Sequence, residues 1–320
     1  MKKFITYSFL TLILFAISAC NNSDENQATE SKLGDVAIAM TCEVSGSRAA
    51  SNLQGVYFDP STEIGMHLRK SNGVADYGYA NLYCTSQHLA NGTDSIIQSS
   101  QMYFPLANDY VDVDFRAYAP YDGRFGRIQT YDFDIQADQS TKAGYIKSDL
   151  LYGIPTAGNP VHHVITHDPA QKKQNVKLTF HHLMSKVTLT LQPVAPLKAN
   201  ALVGAQVKLK QVGTRVPFNL VDGTLGTAST PGDVLIGNVA AATDNTVSGL
   251  IPPQTIAGGT DFLEVTLADG QVYKYAIPEA SSLTLNGGRN YQFNMKFGAN
   301  GAEVTISVAD WVDITGHYTL

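Results

Sequence analysis

Short runs of alternating apolar and polar residues dominate the chain. The run at 36–44 places Val36, Ile38, Met40, Cys42 and Val44 on one side, which is the period of a half-buried strand. Further runs of this kind occupy residues 111–118, 177–191, 205–212, 262–267, 271–277, 290–297 and 304–308. Asp269-Gly270 between two such runs predicts a β-hairpin. No amphipathic helix longer than a few turns is evident, so the pattern predicts an all-β chain built from sandwiches.

The boundary between two domains is predicted where a polar stretch, residues 168–175, interrupts this alternation. A chain of about 300 residues is long enough for two domains of ordinary size. The predicted domains are residues 34–172 and 173–320, each with enough strands for a sandwich of its own.

The N-terminus has the pattern of an export signal. Lys2 and Lys3 precede an apolar stretch at 4–17, too short for a stable membrane span, and small residues lead to Cys20. This pattern predicts a lipoprotein signal peptide over residues 1–19, removed by cleavage before a lipid-bearing Cys20. An ordinary secretory signal is the alternative. The polar segment 20–33 is predicted to be a tether between the lipid and the folded body.

Charge and cysteine content restrict the partners and the covalent links. The formal net charge is −6, and basic residues are not clustered, so nucleic acid is not an expected partner. Besides Cys20 there are only Cys42 and Cys84. In an oxidising exported compartment these two could form a disulfide.

Signatures of catalysis or metal binding are lacking. Five histidines crowd into a short region, but the adjacent pair in a predicted strand would point to opposite faces, and no carboxylate or cysteine is spaced to complete a zinc site. The five are His162, His163, His167, His181 and His182. No nucleophile elbow, phosphate-binding loop or zinc-protease motif occurs. We therefore expect no enzyme activity, metal or cofactor.

Four stretches together resemble the fimbrillin family, the type V pilins of oral and gut anaerobes. Residues 115–121 (FRAYAPY) are similar to a strand and turn of that family's N-terminal domain, and residues 178–189 to the strand that opens its C-terminal domain. Residues 288–297 and 304–311 resemble its closing strands. Their order and spacing behind a lipoprotein signal extend the resemblance over nearly the whole chain.

The resemblance implies two tandem transthyretin-like Greek-key β-sandwiches and a role in assembly. Such subunits reach the outer membrane through a lipid anchor and lose an N-terminal strand to an arginine-specific protease. A strand from a neighbouring pilin subunit then fills the vacated groove. Because each contact is head-to-tail, repetition gives a filament at the cell surface.

This chain carries both parts expected of that device. The alternating run at 36–44 is followed by small residues around Arg48, and cleavage between Arg48 and Ala49 would separate it from the body. At the other end, apolar residues of one parity form a predicted donor strand: Val304, Ile306, Val308, Val312, Ile314, Tyr318 and Leu320. Each terminal run is also compatible with an edge strand of its own domain. A Cys42–Cys84 bond would tether the N-terminal strand after cleavage.

The function expected from the resemblance is that of a structural subunit of an adhesive surface fimbria. Alternatives within the family are a tip adhesin or an anchor subunit. Outside it, a surface lipoprotein that binds glycans without polymerising and, less favoured, a β-sandwich hydrolase fit the same composition.

Overall fold

The computed structural model describes residues 33–45, 58–70, 76–89, 94–105, 112–126, 129–156, 164–166 and 172–311. The first part of the chain contains β1 (Leu33–Val44), β2 (Glu63–Lys70), β3 (Asp76–His88), β4 (Asp94–Gln98), β5 (Tyr103–Pro105), β6 (Asp112–Ala119), β7 (Thr130–Asp134), α1 (Lys142–Ser148), β8 (Leu151–Pro155), β9 (Val164–Thr166) and β10 (Lys173–His182). The second part contains β11 (Ser185–Pro193), β12 (Gln206–Asn219), β13 (Ser229–Asn238), β14 (Thr246–Ile251), β15 (Gln254–Ala257), β16 (Asp261–Thr266), β17 (Val272–Ala276), β18 (Ser282–Leu285), β19 (Arg289–Gly298) and β20 (Gly301–Asp310), with a 3-10 turn at Ala199–Leu202. The predicted all-β fold is confirmed.

The N-terminal strands form one nine-stranded sheet in the order β10-β8-β6-β2-β3-β4-β1-β5, with β9 beside β6. Since β1 also pairs with β10, the path of strands closes on itself. Alternate side chains of these strands, from Val36 in β1 to Phe180 in β10, enclose one apolar core. The closure makes β1 an interior strand of the sheet.

The C-terminal strands form a sandwich around a second core. One sheet has the order β14-β11-β19-β20 and the other β13-β12-β16-β17, while β15 and β18 form a separate pair. The hairpin predicted at Asp269-Gly270 joins β16 to β17. Gly270 has a φ of +89° and its N–H donates to Leu267, so a positive-φ glycine closes the turn.

The two halves do not divide at a single point of the chain. We predicted a boundary between residues 172 and 173, but β10 beyond that position pairs with β1 and β8 of the N-terminal sheet. In the opposite sense, β7 pairs with β12 of the C-terminal sandwich. The predicted single run at 177–191 is two strands, β10 and β11, which belong to different sheets.

Helix is scarce in the described residues. The helix α1 begins after Thr141, whose Oγ1 accepts the N–H of Gly144 at 3.1 Å. No helix in the described ranges is long and apolar enough to cross a membrane.

Candidate strand-exchange site

Strand β1 is held on both sides. On one side, residues 37–44 pair in parallel with residues 173–180 of β10 without interruption. On the other side, β1 pairs with β4 at Thr41 and Cys42 and with β5 at Leu33 and Ala37. The ladder on this second side is short and irregular, so most of the backbone pairing of β1 is with β10.

Alternate side chains of β1 point into the N-terminal core. Val36, Ile38, Met40, Cys42 and Val44 are all buried, and Ile38 is 1% exposed. The predicted apolar face of this run is therefore a core face. Burial of the Val, Ile and Met side chains among these is worth roughly 1.5–3 kcal/mol each as an upper estimate.

Side-chain amides complete the short side of the ladder. The Nε2 groups of Gln98 and Gln101 donate to the carbonyl of Ile38 at 2.7 and 2.8 Å, and the N–H of Ile38 donates to Met102 at 2.9 Å. The side-chain donors of these glutamines replace a backbone partner at Ile38, beyond the two residues of β1 that pair with β4. Sequence reasoning missed them, because nothing in the local pattern indicates which strand they approach.

The outward face of β1 makes polar contacts with β10. Glu43 forms an ion pair with Lys177 at 2.6 Å and accepts from Thr179 at 3.2 Å, and Asn175 donates to Thr41 at 3.1 Å. Both ionic side chains of the pair are substantially exposed, so the pair contributes little. The apolar face carries most of the attachment.

Two anchors flank the segment that carries the predicted cleavage site. At the end of β1, the N–H of Ser45 donates to the carbonyl of Phe180 at 2.7 Å. Beyond the segment, the N–H of Phe58 donates to Asp94 at 2.8 Å, and Asp94 also contacts His88 at 2.6 Å. Arg48 and Ala49 themselves, like Cys20 and residues 21–32 of the predicted tether, lie outside the described residues.

Cys42 and Cys84 are free thiols in the structure. Cys42 lies opposite Asp94 and Cys84 opposite Gln98, two strands apart and displaced along β4. Strand spacings then put their Cα atoms about 16 Å apart, whereas a disulfide needs less than about 7 Å. The disulfide considered from the sequence is thus absent here. Burial raises the pKa of the Cys84 thiol to about 12 and that of Cys42 higher still, with Asp94 adding to the effect.

Strand β20, the described part of the predicted donor run, is an edge strand. Among the described strands it pairs only with β19, from Arg289 opposite Asp310 to Gly298 opposite Gly301. Val304 is half-buried against the C-terminal core, but Ile306 and Val308 are 40% and 57% exposed. These three residues lie opposite Met295, Phe293 and Tyr291 of β19, and part of their apolar face is uncovered. The remaining predicted donor residues lie outside the described residues: Val312, Ile314, Tyr318 and Leu320.

The end of β20 is fixed by a buried stack. The Trp311 ring lies 3.8 Å from the imidazole of His182 with a 10° interplanar angle, and the Nδ1 of that imidazole contacts Asp149 at 2.7 Å. The Nζ of Lys186 lies 5.5 Å from the centroid of the Trp311 ring. Burial lowers the pKa of this ammonium, and the charge of Asp149 opposes the shift. The last described residue is therefore attached to both halves of the molecule.

No metal cluster forms from the crowded histidines that the structure describes. His182 is buried and His181 half-buried, and they point to opposite faces of β10. His162, His163 and His167 lie outside the described residues. Throughout the described ranges, no three His, Cys, Asp or Glu side chains are grouped to hold a metal ion.

Two solved structures from Bacteroides species are similar to this chain in fold. A "putative cell adhesion protein" from Bacteroides uniformis is 21% identical, with a TM-score of 0.65 over 87% of this chain and 99% of that one. A protein of the same description from Bacteroides ovatus is 19% identical, with a TM-score of 0.62 over 86% of this chain and 98% of that one. No curated protein matches the chain.

The family model described as fimbrillin-like matches residues 48–311. The matched region begins at the predicted cleavage site and runs through β20 to Trp311, so it includes nearly all of both halves of the fold. The chain belongs to the fimbrillin-like family.

Proposed function

We propose that this protein is a structural subunit of an adhesive cell-surface fimbria, assembled by exchange of its N-terminal strand. The observation that carries the proposal is the placement of β1. It fills an interior position in the closed sheet, yet its covalent connection to the rest of the sheet runs through the segment that contains Arg48. Cleavage between Arg48 and Ala49 would leave β1 attached by non-covalent contacts alone, since Cys42 is a free thiol.

Removal of β1 would create a groove that suits an extended strand. The backbone groups of residues 173–180 in β10 would lose their partners, and the core would lose five buried side chains. An incoming strand with alternating apolar residues satisfies both requirements at once. The C-terminal run from Val304 to Leu320 has this alternation, and a neighbouring subunit is its proposed source.

Cleavage alone is not expected to release β1. The buried Val36, Ile38, Met40 and Val44 together contribute roughly 6–12 kcal/mol, so the cut strand stays bound until another strand competes for its place. Assembly then requires a separate arginine-specific protease and a donor subunit. Cys20 is the proposed lipid anchor to the outer membrane before processing.

An arginine-specific protease tests the proposal. Purified protein cut between Arg48 and Ala49 should form ladders that resist mild detergent, while the Arg48→Gln variant should stay monomeric under the same treatment. Monomeric cut protein at high concentration would remove the main support for strand exchange. N-terminal sequencing of the polymer checks that it begins at Ala49.

Deletion of residues 312–320 distinguishes the positions that a subunit takes in the filament. A stalk subunit without this segment should be incorporated but should stop further growth. A tip subunit accepts a strand without donating one, so its incorporation and the filament length should be unaffected.

A further inference from the structure

The C-terminal run is divided into two parts at Trp311. Before this residue, β20 pairs with β19 of its own sandwich without a register shift. Trp311 itself is buried, its ring stacks on His182, and its N–H donates to the carbonyl of Gly288 at 3.2 Å. Nδ1 of the same histidine contacts Asp149 at 2.7 Å. Strand β20 is therefore held in its own subunit, and the part of the run that is available to a neighbour begins at Val312.

The core face of β1 determines what a replacement strand must provide. Its five buried side chains recur at every second residue from Val36 to Val44. Residues 37–44 pair in parallel with residues 173–180 of β10 without a register shift, so the vacated sites are evenly spaced along the sheet. A replacement strand therefore needs five inward positions with the same period.

Residues 312–320 begin with the same pattern as β1. Val36-Ala37-Ile38 starts the core face of β1, and Val312-Asp313-Ile314 follows Trp311 directly. When the two segments are aligned on these tripeptides, their inward positions correspond one for one: Val312 to Val36, Ile314 to Ile38, Gly316 to Met40, Tyr318 to Cys42 and Leu320 to Val44.

The fit of the first two sites favours insertion in the direction of β1. In this direction the sites of Val36 and Ile38 receive the residue types that they already hold. In the opposite direction Leu320 would enter the Val36 site and Tyr318 the next one, and both are larger than the residues that they would replace. Overfilling a packed core is destabilising, so the parallel direction is favoured.

The two unequal positions compensate each other. Gly316 leaves the Met40 site empty, whereas Tyr318 is too large for the Cys42 site alone. Side chains of a strand lean along its direction, so the tyrosine ring can extend over the glycine and fill both sites. Asp94 lies opposite Cys42 and is buried, and its carboxylate is within reach as an acceptor for the tyrosine hydroxyl. Cores tolerate such volume-conserving exchanges best.

We propose that residues 312–320 of one subunit replace residues 36–44 of the next in the same direction and register, with Tyr318 filling the sites of Met40 and Cys42. Trp311 is a positioning residue, because its stack on His182 fixes where the donated segment begins. This inference rests on the proposed strand exchange and names the side chains that make the exchange specific. In this register Thr315 takes the outward place of Ala39, opposite residue 175 of β10.

The test pairs a donor that cannot accept a strand with an acceptor that cannot donate one. Arg48→Gln keeps β1 attached in the donor, which also carries Cys20→Ser to remove a reactive thiol. The acceptor is cut after Arg48 and lacks residues 312–320. After the protease is inhibited, the mixed proteins should form a detergent-resistant dimer. If no dimer forms, strand exchange itself fails, and this register fails with it.

Disulfide capture measures the register. Thr315→Cys in the donor should cross-link under mild oxidation to Asn175→Cys in the acceptor and not to Lys177→Cys, two residues further along β10. Reversed insertion would place Thr315 opposite Lys177 instead. A dimer that cross-links through Lys177→Cys, or through neither position, would overturn the proposed register and leave strand exchange intact.

Competition between donors tests the shared site of Tyr318. Each variant competes with the unsubstituted donor for limiting acceptor under reducing conditions, and mass spectrometry of the dimers gives the capture ratio. Gly316→Met should reduce capture about tenfold, because the methionine and the tyrosine ring then compete for one site. Addition of Tyr318→Cys should restore capture, since the segment then has the residues of β1 at the first four inward positions. The outward control Thr315→Val should be captured as well as the unsubstituted donor.

Two results would contradict this shared site. One is unreduced capture of Gly316→Met, and the other is failure of Tyr318→Cys to restore the capture of that variant. The role of Trp311 is tested by Trp311→Leu, which should reduce donation while the cut protein still accepts a strand normally. Trp311→Phe keeps an aromatic ring on His182 and should donate well. Loss of both donation and acceptance in Trp311→Leu, or of neither, would exclude a positioning role.

Discussion

The attachment of β1 after cleavage should depend on its core face, and Ile38→Ala is the sharpest perturbation of that face. Ile38 is 1% exposed, so the truncation removes buried apolar surface and leaves a cavity. Such a change costs about 2–5 kcal/mol. If the loss appears in the dissociation rate, a central value of about 3 kcal/mol makes the cut strand leave about 150-fold faster.

The assay follows the N-terminal fragment that ends at Arg48. The protein is cut, the protease is inhibited, and the fragment that stays with the body after gel filtration is measured by mass spectrometry over time. Thr41→Val is the control, since Thr41 lies on the outward face and valine keeps its shape; its release rate should stay within about twofold of the unsubstituted protein.

Equal release rates for Ile38→Ala and the unsubstituted protein would refute the reasoning, because the core face would then not determine attachment. Equal acceleration by Thr41→Val would refute it in another way, since the outward polar contacts would then carry the energy. Thermal melts of the uncut variants check that each still folds.

Three further predictions concern single groups. Because burial raises the pKa of the Cys42 thiol, iodoacetamide should leave it unmodified in the intact protein at mildly alkaline pH and should modify it once β1 is displaced, whereas rapid labelling of intact protein would contradict its placement. Burial lowers the pKa of His181 below its ordinary 6.5, so the unfolded state binds more protons just below pH 6.5 and stability should fall as the pH falls through that window. His181→Asn should flatten the fall in urea melts, and an unchanged slope would exclude this residue as a cause. The hydroxyl of Tyr118 lies 2.6 Å from Oδ1 of buried Asn81, so Tyr118→Phe should lower the free energy of unfolding by about 1–3 kcal/mol, and an unchanged urea midpoint would argue against that hydrogen bond.

The strands that were predicted well are those whose periodicity is complete within one run. The runs at 36–44, 262–267 and 290–297 correspond to β1, β16 and β19 within a few residues. The hairpin at Asp269-Gly270 was predictable because a glycine with positive φ is a local requirement of the turn. In each case the signal depends on neighbours in sequence alone.

The run at 177–191 shows where the alternation stops being sufficient. It continues through β10 and β11 with no strong break, although the two strands enter different sheets. Alternation records which side chains are buried, but it carries no information on which core buries them. The chain leaves the N-terminal sheet after β10 (Lys173–His182), beyond the polar stretch at 168–175.

Partners distant in sequence were beyond prediction for the same reason. Nothing in the local pattern relates Asp149 to His182 and Trp311, or Gln101 to the carbonyl of Ile38, because each contact joins elements that meet only after the sheets form. The exposure of the Val308 side chain could not be predicted for the same reason. Its parity matches that of Val304, but its exposure depends on how far the opposite sheet extends.

The sequence by itself determined the all-β class, the alternating faces of the first and last described strands and the resemblance to fimbrillins. These follow from backbone periodicity and residue order, which are local properties. Only the tertiary structure decided that β1 closes a sheet beside β10, that Cys42 and Cys84 are too far apart to pair, and that Trp311 stacks on His182. Those outcomes depend on pairing between strands that are distant in sequence, such as Met40 with Val176. Packing of the whole core selects one such arrangement among many that share the same local pattern.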